Sequence, residues 1–229
     1  MGSFPLENAV LAVTNAGHGY GHAIARALGR VGANVIVVDP EAAAAAAVAS
    51  EIEAAGGRAI PIKADTSVQL EVSNTIEKIR TIFGALAGVV HVADGASQTA
   101  FSKLIEAEWS ELMDDHARSS YLLLRALQRR SASTWATLVL PPDDHVQPQM
   151  RAIRGYMTEL TLGLSLEGVR VNALVPSRIA GNLELDAPLA EAAVSLALPS
   201  SHGITGAVVR VSLPALPDPR ASLPREVFE

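Results

Sequence analysis

The residues best placed to do chemistry near the start of the chain are Asn15-Ala16-Gly17-His18-Gly19-Tyr20-Gly21, directly after the apolar run Val10–Thr14. A glycine-rich turn between a buried strand and a helix lets backbone N–H groups approach a pyrophosphate, and the helix N-terminus favours its charge. Asp39 stands at the end of the next apolar run. A carboxylate there can accept hydrogen bonds from ribose hydroxyls and repel a 2′-phosphate. Before Pro40 it also reads as a helix N-cap. His18 and His22 have the spacing of a metal pair, but they straddle the turn without a third ligand type nearby, so no metal site is predicted.

These residues need a scaffold, and the apolar pattern supplies one. Strands are predicted over Val10–Thr14, Asn34–Val38, Ala59–Lys63, Ala87–Val92, Ala136–Leu140, Arg170–Val175 and Val208–Val211. Helical stretches fill the gaps: Ile24–Val31, Glu41–Ala55 ending at Gly56-Gly57, Val68–Phe83 capped by Thr66-Ser67, Glu106–Arg129 and Gln149–Glu167. Strands alternating with helices argue for βαβ units and a parallel sheet. The expectation is one α/β domain over residues 1–229, a doubly wound (Rossmann) seven-stranded parallel sheet with helices on both faces. A proline-rich tail, from about residue 213, contains Pro214, Pro217, Pro219 and Pro224.

Composition narrows the function classes. Hydrophobic residues make up 49% of the chain, as a sheet buried on both faces requires. The surplus predicts a homo-oligomer, a dimer or tetramer. There are no cysteines, which excludes disulfides and thiolate metal sites. Net charge is −6 with no basic cluster, so nucleic acid is not an expected partner. No apolar run reaches membrane-spanning length and the first residues lack a signal pattern, so the expected location is cytoplasmic.

The motifs together resemble the short-chain dehydrogenase/reductase family along almost the whole chain. Thr14, Gly19 and Gly21 match its glycine-rich turn, with Asn15 where the first glycine belongs. Asn tolerates positive φ better than most residues, so the turn is expected to survive. Asp65-Thr66 resembles the pair that meets the adenine, and Trp109 before His116 the start of the fourth helix. Arg170-Val171-Asn172-Ala173 with Val175-Pro176 resembles the sixth strand, and Ile204-Thr205-Gly206 the approach to the last. The resemblance implies an NAD cofactor held by Thr14, Asn15, Gly19, Tyr20, Gly21, Asp39, Asp65, Thr66, Ala93, Arg154, Pro176 and Ile179. Three departures imply weak binding or none. His91-Val92-Ala93-Asp94 replaces Asn-Asn-Ala-Gly, Pro176-Ser177 replaces Pro-Gly, and Gly181 stands at the threonine that meets the carboxamide or pyrophosphate.

The family's catalytic set is missing at the matching positions. Its tyrosine and lysine sit four apart, on one helix face. Here the i+4 partners of Tyr20, Tyr121 and Tyr156 are Ile24, Arg125 and Leu160, and the lysines are Lys63, Lys78 and Lys103. The tyrosine position falls on Met150 and the lysine on Arg154. The helix asparagine falls on His116 and the serine near Pro142 or Asp143. Methionine cannot act as a general acid, and arginine stays charged. Three readings follow: a catalytically degenerate member with an eroded NAD-type pocket, an NAD(H)-dependent oxidoreductase of carbonyl or alcohol substrates with His116 or His145 as a rebuilt proton relay, or a structural subunit joining active family members in a mixed oligomer. The segment Arg178–Pro199, at the family's substrate lid, is expected to carry Glu184, Asp186 and Glu191 in solvent. Tyr156 is expected to face away from the nucleotide.

Overall fold

The computed structural model describes residues 5–93, 95, 97–130, 134–144 and 147–215. Seven strands form one sheet: β1 (Val10–Thr14), β2 (Asn34–Asp39), β3 (Arg58–Lys63), β4 (Gly88–Val92), β5 (Trp135–Val139), β6 (Val171–Pro176) and β7 (Val208–Val211). Their order is β3-β2-β1-β4-β5-β6-β7. All neighbours run parallel, as expected.

The helices are α1 (Gly19–Arg30), α2 (Ala42–Ala54), α3 (Gln69–Phe83), α4 (Glu106–Leu112), α5 (Ser119–Arg130), α6 (Pro148–Leu166) and α7 (Ala187–Ala197). Side chains alternate across the sheet with period two. Leu11 and Val13 of β1 pack with Ile24 and Leu28 of α1, Ile52 of α2 and Leu189 of α7. Val10 and Ala12 face the opposite layer, with Ile76 of α3, Leu127 of α5 and Met157 of α6. The chain winds outward from β1 to β3, then crosses back to place β4 against the other side of β1. The carboxyl ends of β1 and β4 therefore flank the switch point where ligands bind in open α/β sheets.

Helix boundaries differ from the sequence expectation in four places. Helix α1 begins at Gly19, so the glycine turn feeds it without a spacer. The run predicted as Glu106–Arg129 is interrupted by a wider π-helical stretch, Met113–Arg118. Thr66 and Ser67 do not cap α3; its N-cap is Val68. Instead Ser67 donates its N–H and hydroxyl to the Asp65 carboxylate, and Asp65 N–H donates to Glu71. Helix α7 was not foreseen, because alanine-rich Ala187–Ala197 carries little charge contrast between its faces. The proline-rich tail lies outside the described residues beyond 215.

Candidate functional site

Thr14 ends β1 beside His91 of β4. The Thr14 hydroxyl lies 2.7 Å from His91 Nδ1, and His91 Nε2 lies 3.1 Å from Ser119 Oγ. Ser119 donates its hydroxyl to the Asp115 carbonyl at 2.6 Å. It therefore accepts from His91 Nε2–H, and Nδ1 accepts from Thr14. His91 is fully buried, and burial pushes its pKa down from 6.5 to about 3, with His116 adding repulsion. The ring stays neutral and ties the end of β1 to helix α5.

The turn has two residues at positive φ and a close backbone approach to α1. Asn15 has φ +48° and Gly19 φ +49°. The Asn15 amide donates to the Val92 carbonyl at 2.6 Å, so the residue that replaces glycine also pins the turn to β4. A Cβ on Gly21 would lie 2.1 Å from the Asn15 carbonyl oxygen, so helix and turn meet backbone to backbone. None of the described side chains caps the N-terminus of α1.

Asp39 closes the floor of the turn. Its carboxylate accepts the Gly17 N–H at 2.8 Å and the Glu41 N–H at 2.9 Å. Asp39 does not cap α2, whose N-cap is Glu41 without a side-chain cap. A carboxylate has about four acceptor positions, so two remain for ribose hydroxyls.

The opposite half of the site is organised differently. Met150 is fully buried in the core layer with Leu138, Leu140 and Ile153. Arg154, one turn on, donates to the Pro142 carbonyl at 2.5 Å and the Pro141 carbonyl at 3.4 Å. It also lies 3.6 Å from Asp143, which Arg210 approaches at 3.5 Å from the other side. Arg154 thus holds the loop of Pro141, Pro142 and Asp143. His116 is 1% exposed, with Nδ1 2.9 Å from the Leu112 carbonyl and Nε2 3.0 Å from the Gly95 carbonyl. Each ring nitrogen faces a backbone carbonyl of the chain. His116 wedges the loop after β4 against the π-helical stretch. The other relay candidate, His145, and Asp94 lie outside the described residues.

A buried ion pair escaped the sequence reading. Asp186 is not in solvent. It is 1% exposed and pairs with Arg178 at 3.1 Å. Its carboxylate takes the Gly181 N–H at 3.0 and 2.9 Å. Arg178 further donates to the Ile179, Leu185 and Pro214 carbonyls, and Tyr20 donates its hydroxyl to the Arg178 carbonyl. Glu184 and Glu191 are exposed as expected. Tyr156 is 43% exposed on α6, its pKa raised by partial burial and by Tyr121. His18 and His22 face Glu41 and Glu51 separately, and no metal cluster occurs among the described residues.

A doubly wound sheet with a glycine turn at its switch point defines a dinucleotide-fold protein. A family model described as short chain dehydrogenase matches residues 9–136. The chain belongs to the short-chain dehydrogenase family. It is 27% identical to galactitol 2-dehydrogenase (L-tagatose-forming) of Cereibacter sphaeroides, over 91% of this chain and 95% of that protein. It is 25% identical to a 3-oxoacyl-[acyl-carrier-protein] reductase of Pseudomonas aeruginosa, over 81% of this chain and 80% of the relative. Among solved structures, a Brucella melitensis 3-ketoacyl-(acyl-carrier-protein) reductase complexed with NADH has TM-score 0.79 at 25% identity, covering 90% and 98% of the two chains. An Escherichia coli hydroxysteroid dehydrogenase has TM-score 0.83 at 21% identity, covering 92% and 97%.

Family members take NAD or NADP, and the two halves of the site differ in how they suit one. The turn, the uncapped start of α1 and Asp39 offer donors and acceptors to an adenosine diphosphate. The groups that would meet a nicotinamide riboside, Arg154 and Gly181, already have partners within the chain.

Proposed function

We propose that this protein is a nucleotide-binding member of its family that has lost the proton relay, and that its eroded NAD-type pocket serves binding rather than turnover. A bound nicotinamide would supply hydride transfer, but reduction of a carbonyl also needs an acid beside it. The observation that carries the reading is Met150, fully buried and unable to donate a proton, one helical turn from Arg154, which is drawn onto the Pro142 carbonyl. General acid–base help is worth roughly 10²–10⁴-fold in rate, so its loss leaves little turnover. The relatives are named for active dehydrogenases and reductases, which makes the test sharp. NADH should not be consumed above background with a broad carbonyl panel, including ketoses and 3-oxoacyl thioesters. Consumption abolished by His116→Ala or His145→Ala would establish a rebuilt relay instead.

The same reading carries a cofactor preference and an assembly. Asp39, buried at the end of β2, favours ribose hydroxyls over a 2′-phosphate, so NADH should bind more tightly than NADPH. Tyr121 on α5 and Tyr156, Leu162 and Leu166 on α6 remain exposed, which supports self-association through these helices. A sedimentation profile showing only monomer at micromolar concentration would remove that part. No helix among the described residues is long and apolar enough to cross a membrane.

A further inference from the structure

We infer that the groove between α3 and α5 is a binding site for a small carboxylic acid with a short apolar tail. Its lining includes neither the glycine turn nor Asp39, so the site stands or falls apart from the nucleotide pocket proposed above.

The groove is amphipathic because residues three and four apart share a helix face. Helix α3 contributes Gln69, Val72 and Ser73; α5 contributes Leu122, Arg125, Ala126 and Arg129. Arg125 and Arg129 stand one turn apart, with Gln69 and Ser73 on the facing helix. Val72 and Leu122 are buried and, with half-buried Ala126, form an apolar floor. The space between the helices is about 70 Å³, room for roughly five water-sized groups.

The two cations are set for an anion and lack one. Arg125 donates to the Tyr121 hydroxyl at 2.7 Å, and its guanidinium lies 5.6 Å from that ring. The side chain is thus held in place with donors to spare. Neither Arg125 nor Arg129 has an ion pair among the described residues. No carboxylate lines the groove; Glu71 of α3 instead accepts the Asp65 N–H at 2.7 Å. Like charges one turn apart on a helix repel, and a bridging anion turns that cost into attraction. A guanidinium fork meets a carboxylate through two parallel hydrogen bonds.

The floor selects among anions. Phosphate would satisfy the arginines but leave Val72, Leu122 and Ala126 facing a strongly hydrated ion. A tail of about two or three carbons covers them and removes their surface from water. On the far side of Val72, between the same helices and the sheet, lies an apolar cavity of about 20 Å³ lined in part by Ala12, Ala64, Ile76 and Leu123. A tail pressing on the floor therefore meets room rather than a fully packed core.

Titration of the full chain with sodium acetate, sodium butyrate and inorganic phosphate at constant ionic strength, followed by calorimetry or NMR, tests this. Each buried CH₂ adds about fourfold in affinity, so butyrate should bind roughly tenfold tighter than acetate, and tighter than phosphate. Arg129→Gln, at an exposed position, should weaken butyrate about tenfold. Arg80→Gln, which removes an exposed arginine paired with Glu77, should leave butyrate binding unchanged. Ala126→Leu fills the floor with a good helix former and should block butyrate. No binding by either carboxylate, butyrate no tighter than acetate, or phosphate tighter than butyrate would each overturn the inference. So would butyrate binding that Arg129→Gln leaves intact, and the parent chain and this surface variant decide even if Ala126→Leu fails to fold.

Discussion

The Arg178 guanidinium lies 3.1 Å from the Asp186 carboxylate, and the pair is almost wholly enclosed, at 8% and 1% residue exposure. It closes the segment that follows β6 into a loop tied at once to α1, α7 and the residues after β7. Removing one member of a buried pair strands the other charge, which costs about 3–5 kcal/mol. Asp186→Ala should lose about that much in urea unfolding. Asp114→Asn, which removes the exposed i,i+4 pair with Arg118, should lose less than about 0.5 kcal/mol. Equal losses at the two positions would show that the segment opens to water.

Acid should destabilise this protein through His91. Its folded pKa is lowered to about 3 while the unfolded ring titrates near 6.5. Between those values the unfolded chain binds a proton that the folded chain excludes, so stability rises with pH across that window. The contribution is fully present above pH 6.5, and about 2 kcal/mol of it should be lost by pH 5. Urea unfolding of His91→Asn across pH 4–7 should show a flatter slope, whatever its absolute stability. An unchanged slope would assign the acid sensitivity elsewhere.

The strands were legible because a sheet buried on both faces writes itself as apolar runs, as at β1; the edge strand β7 also matches its expected bounds, although only Val211 of it is buried. The glycine turn and Asp39 were legible because their chemistry lies in one short stretch. The Arg178–Asp186 pair was not. Two charged residues flanking a loop carry no periodicity, and polar residues in such a segment ordinarily face solvent. His116 read as a titratable candidate because its type was visible and its two carbonyl neighbours, Leu112 and Gly95, were not. The roles of Arg154 and His116 depend on acceptors in the backbone, which side-chain patterns do not reveal.

Asn15 and Gly21 should respond unequally to small substitutions. Asn15→Gly removes the amide bond to Val92 but relaxes the positive φ, so its net cost should stay within about 1 kcal/mol. Gly21→Ala places a Cβ against the Asn15 backbone oxygen, where nothing flexible can yield. It should cost about 1–3 kcal/mol and weaken ADP binding, because the start of α1 must move away from the turn. Thermal unfolding with and without ADP measures both effects. A Gly21→Ala variant that binds ADP as well as the parent would separate the helix start from the ligand.

Restoring the family's residues at two positions should not restore turnover. In Met150→Tyr with Arg154→Lys, the tyrosine enters a site fully enclosed by apolar neighbours, where its hydroxyl needs a partner. The lysine brings a single point charge in place of a planar fork and cannot hold the Pro141 and Pro142 carbonyls and Asp143 together. The loop it now anchors, Pro141 to Asp143, would loosen. Expected outcomes are a stability loss of about 1–3 kcal/mol and no NADH oxidation above the parent with the same carbonyl panel. NADH-dependent carbonyl reduction in the double variant, absent from each single variant, would show instead that the nicotinamide side opens once Arg154 lets go of Pro142, and that the internal hydrogen bonds there yield to ligand.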